Sequence, residues 1–212
     1  PEARQFLNQG VAQLHTFFYL EAERSFRQAA VLDPKCGMAY WGMAMANVNN
    51  AKRARGFLKE AAKLKDGMTR REQLYLEGLS AFHQEKGSEK ERRKGMIEKF
   101  ETITKEFPQD LDARAWLGML RWQDGPKDMK AREAINVELG EIMKIEPMHP
   151  GAHHYRIHLW DGSKPENAVK SAELYGPAAA GIAHAWHMPG HTYTELKRYA
   201  DAAYQQEASA RV

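Results

Sequence analysis

Small and aromatic residues recur along the chain at spacings that fit one face of an α-helix. In the first part of the chain they are separated by intervals of four, three and five residues: Ala22, Phe26, Ala29 and Pro34. Residues three and four apart lie on the same helix face, where small side chains let two helices approach closely and a large one fills the remaining space. Proline then ends the helix. The pattern predicts a pair of closely packed helices.

Comparable stretches follow at a period of roughly 35 residues, and none shows the strict alternation of a β-strand. Later helices end at Pro108 and Pro147, and the predicted first helices carry a glycine each: Gly10, Gly42, Gly78 and Gly118. The expected fold is all-α, a right-handed α-solenoid of about six helix-turn-helix units in a single domain, 1–212. The approximate units are 3–36, 37–68, 69–108, 109–147, 148–181 and 182–212.

These features resemble the tetratricopeptide repeat (TPR) over essentially the whole length. More narrowly, four stretches look like a bacterial subfamily of TPR proteins with HPGA-H and HMPxH histidine motifs: A-Y-W-G-M-A-M-A-N at 39–47, R-E-Q-L-Y-L at 71–76, H-P-G-A-H-H-Y-R-I-H at 149–158 and H-M-P-G-H-T-Y at 187–193. The resemblance implies a superhelical scaffold whose concave groove binds a protein or peptide segment. It implies no catalytic residues.

Histidines are concentrated near the end of the chain, where seven of the nine lie between positions 149 and 191. Phasing against the repeat places five of them on groove-facing positions of two adjacent first helices: His154, His158, His184, His187 and His191. His149 is expected to lie at a helix start, and His153 on the packing side of its helix. Pro189 is expected either to kink the second of these helices or to delay its start.

The five groove-facing histidines are candidate metal ligands. They contain two pairs at i, i+4 spacing, and imidazole nitrogen suits zinc, copper, nickel or iron. Asp161, Glu195 or water are candidates for further ligands. Two alternatives remain, an anionic group bound by the same histidines and a purely structural network of hydrogen bonds among them.

A stripe of aromatic and methionine side chains is a second candidate site. The repeat phase places its members on the same groove as ligand-binding residues: Trp41, Met45, Tyr75, Met119 and Trp122. If exposed, they form a recognition surface for a peptide. The alternative is core packing, which is the commoner role for such side chains.

Composition narrows the function classes. Basic and acidic residues number 31 and 28 and are mixed along the chain, which argues against a nucleic-acid partner. No apolar run is long enough for a membrane span. The absence of a G-x-S-x-G, an H-E-x-x-H or a phosphate-binding glycine loop favours a binding scaffold. A metal-dependent enzyme that uses the histidines to activate water is the alternative. Nothing in the pattern specifies a compartment or an oligomeric state.

Overall fold

The computed structural model describes residues 2–212, which form twelve α-helices, two short 3-10 helices and no strand. The all-α prediction is therefore confirmed, with Pro1 outside the described residues. The helices are α1 Glu2–His15, α2 Tyr19–Leu32, α3 Gly37–Ala46, α4 Ala51–Lys63, α5 Arg70–Phe82, α6 Glu89–Glu106, α7 Leu111–Gln123, α8 Met129–Ile145, α9 Pro150–Trp160, α10 Val169–Ala178, α11 Ala183–Glu195 and α12 Tyr199–Arg211. The 3-10 helices are Lys65–Gly67 and Pro165–Ala168.

The number of helix-turn-helix units and their boundaries stay a prediction. Local sequence sets several of the helix starts. Thr69 and Glu72 form a capping box at α5, and Ser88 with Glu91 forms another at α6. Each box satisfies backbone N–H groups that the first helical turn leaves without a partner.

The contacts divide the chain into two compact units. The first comprises Phe18–Ala113 together with the preceding residues up to Leu14, and the second comprises His15–Phe17 and Arg114–Val212. The predicted single domain thus consists of two units by internal contacts. The boundary falls inside α7.

Close helix packing in the first unit depends on Phe26. Its side chain is buried, and a Cβ atom added at Gly10 would lie 2.7 Å from the Phe26 ring. A Cβ added at Gly42 would overlap the same ring. Phe26 therefore fills the space that two helical glycines leave, as its spacing to the small residues predicts.

Most of the predicted aromatic and methionine stripe lies in the core. Trp41, Met45, Tyr75 and Met119 are all at most 4% exposed. The indole N–H of Trp41 donates to the backbone oxygen of Tyr75 at 3.0 Å, and the Tyr75 hydroxyl donates to Asp110 at 3.0 Å. Burial at this level favours the core-packing interpretation over an exposed peptide-binding surface.

The second unit is built around α9, which packs against α8, α10 and α11. Tyr155, Ile157 and Trp160 of α9 are completely buried. The Trp160 indole donates to the Asn136 side chain of α8 at 2.9 Å. Helix α9, which carries His154 and His158, is therefore largely buried against the helices beside it.

Within residues 2–212, no helix combines the length and apolar character needed to cross a membrane.

A glycine substitution tests the close packing around Phe26. Gly42→Ala is expected to lower the free energy of unfolding by about 1–3 kcal/mol, because the added methyl group forces the Phe26 ring to move. Gly56→Ala in α4 is the matched control, since its Cβ would meet nothing within 4 Å. The control is expected to gain up to about 1 kcal/mol from helix propensity. Denaturant unfolding measures both, and equal effects of the two substitutions would contradict the packing argument.

Candidate metal centre

Two helices of the second unit carry the histidines that the sequence singles out. Helix α9 begins at Pro150. The ring of His149, the residue before it, accepts a hydrogen bond from the Ala152 N–H. Helix α11 continues from Ala183 to Glu195 with Pro189 inside it. Neither a late helix start nor a break therefore separates the three histidines of α11.

Three of the five predicted ligands come together in the second unit, where His154 is completely buried and His158 and His184 are half-buried. His154 and His158 come from α9 and His184 comes from α11. Each offers one ring nitrogen, and these three atoms lie within 4.8 Å of one another. We call these three residues the buried trio. The Nε2 atoms of His154 and His184 are only 3.0 Å apart.

A backbone oxygen fixes the orientation of the His154 ring. Nδ1 of His154 lies 2.6 Å from the carbonyl oxygen of His15. Since a carbonyl oxygen only accepts hydrogen bonds, Nδ1 carries the proton and Nε2 keeps its lone pair. Metal-binding histidines have the same arrangement, in which the second ring nitrogen donates to a carbonyl or carboxylate.

The hydrogen bonding of His158 differs from that of His154. Among the described residues, no hydrogen-bond partner reaches the buried Nε2 atom of His158. A buried polar atom without a hydrogen bond costs about 1–3 kcal/mol and calls for an explanation. A metal ion coordinated by this nitrogen supplies one.

Aromatic rings surround the buried trio. Tyr175 stacks on His154 at 5.0 Å between ring centroids, and Trp122 stacks on His158 at 4.8 Å. The Phe17 ring lies 4.4 Å from His154, edge to face, and 5.9 Å from His158. Among the predicted stripe residues, Trp122 therefore contacts a histidine of the buried trio.

Phe17 reaches this position from a strained backbone. Its φ angle is 56°, in the left-handed region that costs a non-glycine residue about 1–2 kcal/mol. Strain of this kind persists only where the surrounding structure imposes it, and it is common near functional sites. The strained turn also carries the His15 carbonyl that holds His154.

Burial keeps the trio uncharged. It lowers the pKa of His158 and of His184 from the ordinary value of 6.5 to about 4, and charge repulsion from neighbouring histidines adds to both shifts. Burial and the nearby imidazoles also hold the pKa of His154 well below its ordinary value. At neutral pH the three rings therefore offer lone pairs instead of positive charge, which suits a cation and not an anion.

His187 and His191 form a second group, nearer the surface. Their Nε2 atoms are 3.0 Å apart, and the His187 ring centroid lies 6.1 Å from that of His184. Nδ1 of His187 lies 2.8 Å from the Gln206 side-chain oxygen, and Nδ1 of His191 lies 3.2 Å from Asp161. We call His187 and His191 the outer pair.

The remaining histidines have the predicted structural roles. His149 caps α9, and His153 is fully buried with its Nε2 2.8 Å from the Pro147 carbonyl oxygen. Of the two further ligand candidates, Asp161 contacts His191, whereas Glu195 accepts a hydrogen bond from the Gly162 N–H at 2.6 Å.

His15 and Phe17 were missed by the sequence reasoning because they lie more than 130 positions before α9. His15 contacts the Tyr155 hydroxyl at 2.9 Å and stacks on Trp116 at 4.4 Å. A Cβ added at Gly151 would overlap the His15 ring. The glycine of the H-P-G-A motif was thus the available signal that another group approaches the start of α9 closely.

Comparisons with known proteins support the fold. No protein-family model and no curated protein sequence matches the chain. The crystal structure of PilW, a widely conserved type IV pilus biogenesis factor, matches with a TM-score of 0.55 and 16% identity over 97% of this chain and 90% of PilW. The structure of Pseudomonas aeruginosa pilF gives 0.49 at 14% identity, covering 96% and 88%. A MamA RS-1 double mutant gives 0.46 at 13% identity, covering 100% and 94%. The chain has a TPR-type helical-repeat fold.

The low pKa values of the buried trio make stability depend on pH. Between pH 6.5 and about 4 the unfolded chain takes up protons that the folded chain does not, so the free energy of unfolding of the metal-free protein falls as pH falls through this range. His158→Phe removes one such group together with its unpartnered nitrogen. We expect this variant to show a shallower pH dependence and, at pH 7, no loss of stability.

Denaturant unfolding with a chelator present, at pH steps between 4 and 7, measures this effect. The matched control is His83→Phe in the first unit, since His83 is also buried with a pKa of about 4 and an unpartnered Nε2 within the described residues. Both variants should reduce the pH dependence. An unchanged dependence in His158→Phe would show that His158 titrates normally in the folded protein.

Proposed function

We propose that this chain is a helical-repeat scaffold that binds a protein or peptide segment and holds a first-row transition-metal ion at His154, His158 and His184. The observation that carries the metal proposal is the convergence of three uncharged imidazoles within 4.8 Å, one of which has a buried nitrogen without a hydrogen-bond partner in the described chain. The partner proposal rests on the fold class alone.

The donor set suits a metal ion. Zinc binds imidazole nitrogen at about 2.0–2.1 Å in tetrahedral geometry, which places two ligand nitrogens about 3.3 Å apart. The 3.0 Å between the Nε2 atoms of His154 and His184 is close to this separation. The ligand nitrogen of His158 lies within 4.8 Å of both and would complete a three-nitrogen site by moving closer to them. Zinc, copper, nickel and iron all accept such ligands.

The surroundings support the same conclusion. The His15 carbonyl holds His154 in the tautomer that a metal ligand needs, and the rings of Phe17, Tyr175 and Trp122 restrict access of water. Three protein ligands leave a fourth position for water or another donor. This is also the arrangement that the enzyme alternative requires.

The two non-metal alternatives fit less well. An anionic group needs imidazolium, whereas burial keeps these rings neutral. In a purely structural network, His154 and His184 are hydrogen-bonded to each other through their Nε2 atoms. The Nε2 atom of His158 is still without a hydrogen bond in the described chain. A metal ion accounts for all three residues.

Zinc content of tag-free protein tests the proposal. After dialysis against a small excess of zinc and then metal-free buffer, elemental analysis should find one equivalent less in His158→Phe than in the wild type. Removing the hydrogen-bond partner of a metal ligand lowers metal affinity about 10- to 100-fold. His158→Phe removes a ligand itself, so its zinc affinity should fall by more than that.

His83→Phe serves as the control for removing a buried histidine and should retain the wild-type zinc content. Circular dichroism checks that both variants keep their helices. Equal zinc content in the wild type and in His158→Phe, or no retained copper, nickel, iron or zinc in any of them, would leave the structural network as the better explanation.

A further inference from the structure

The side chain of Gln206 determines which nitrogen of His187 is protonated. Its amide nitrogen donates to the His187 backbone oxygen at 3.1 Å, so its amide oxygen is the atom 2.8 Å from Nδ1 of the His187 ring. An amide oxygen only accepts hydrogen bonds. Nδ1 of His187 therefore carries a proton, and Nε2 of the neutral ring has a lone pair.

Asp161 does the same for His191. An ionised carboxylate also only accepts, and its Oδ2 atom lies 3.2 Å from Nδ1 of His191. Nε2 of His191 is then the atom with a lone pair. Carboxylate, histidine and metal form this sequence of contacts in many zinc sites.

With both rings neutral, two lone pairs face each other across the 3.0 Å between the Nε2 atoms of His187 and His191. Neither ring then has a proton to donate there, so the repulsion is removed only by a cation between the two atoms, either a proton or a metal ion. The same 3.0 Å is close to the separation of about 3.3 Å between two nitrogens on one tetrahedral zinc ion. The i, i+4 spacing on α11 holds both rings on one helix face.

We infer that His187 and His191 form a second transition-metal site, separate from the buried trio, with Asp161 and Gln206 as positioning residues. The two sites have no residue in common. It supplies two protein ligands, and the remaining coordination positions are open.

The position of the outer pair makes those open positions accessible. His187 and His191 line a surface depression of about 340 Å³, and 39% of the His191 side chain is exposed. Glu195 lines the same depression and offers a carboxylate. Ligands for the open positions are therefore water, a small anion, or an imidazole or carboxylate side chain of a bound partner.

Counting zinc equivalents by isothermal titration separates the two sites. The wild-type, tag-free protein should bind two equivalents, and each single variant, His158→Phe and His191→Gln, should bind one. The double variant should bind none. Asp161→Ala should keep both equivalents but weaken one of them about 10- to 100-fold, since it removes only the positioning hydrogen bond.

Cobalt reports whether the outer ion is open to ligands. Added imidazole should change the visible absorption of cobalt bound to His158→Phe, in which only the outer pair is intact. It should leave the spectrum of cobalt bound to His191→Gln much less changed, because aromatic rings enclose the buried trio.

The outcomes are distinct. One wild-type equivalent lost in both single variants would mean a single ion shared by all five histidines. One equivalent lost only in His158→Phe would mean that a proton, and not a metal, lies between His187 and His191. The first result overturns both separate sites in favour of one that includes the two groups, whereas the second overturns the outer pair alone and leaves the buried trio as a proposal. Loss of an equivalent only in His191→Gln would support the outer pair and contradict the buried trio.

Discussion

The hydrogen bond between the His154 ring and the His15 carbonyl oxygen is the interaction on which the candidate site depends. It joins a turn near the start of the chain to α9, across 139 positions, and fixes which nitrogen of His154 faces His184. Next to it, His15 packs against Gly151, where any side chain would overlap the His15 ring. The strained backbone at Phe17 lies two residues after His15, and His154 is completely buried.

This part of the second unit is not arranged for stability alone. Burial of His154, His158 and His184 leaves one nitrogen without a hydrogen bond among the described residues, and Phe17 adopts a backbone conformation that phenylalanine rarely takes. Natural sequences that break local rules in this way usually do so at functional sites. Binding of a cation explains the energetic cost of the buried imidazoles, because the lone pairs of their nitrogens then act as metal ligands.

Periodicity was enough to predict the fold, because the spacing of Phe26 and the small residues near it identifies one face of a helix. The same phase also brought the five histidines of α9 and α11 together, since residues at i, i+4 must lie side by side. It could not divide them into a buried trio and an outer pair. That division depends on Asp161 and Gln206, whose positions are set by tertiary packing.

The stripe residues show what helical spacing does not reveal. Trp41 and Tyr75 have the spacing of a groove-facing surface, but helical spacing alone does not distinguish a face that meets solvent from one that meets another helix. Both side chains are buried, and the Trp41 indole donates to the Tyr75 backbone oxygen, which favours packing in the core. His15 and Phe17 could not be placed by any local pattern, because their contacts to α9 are distant in sequence.

X-ray absorption at the zinc edge, on tag-free protein loaded with one equivalent, is the most direct measurement of whether imidazoles bind a metal here. The account predicts nitrogen neighbours at about 2.0–2.1 Å with the outer scattering of imidazole rings, and no sulfur at about 2.3 Å. A shell of oxygen alone, or a sulfur ligand from Cys36, the free cysteine of the chain, would contradict it.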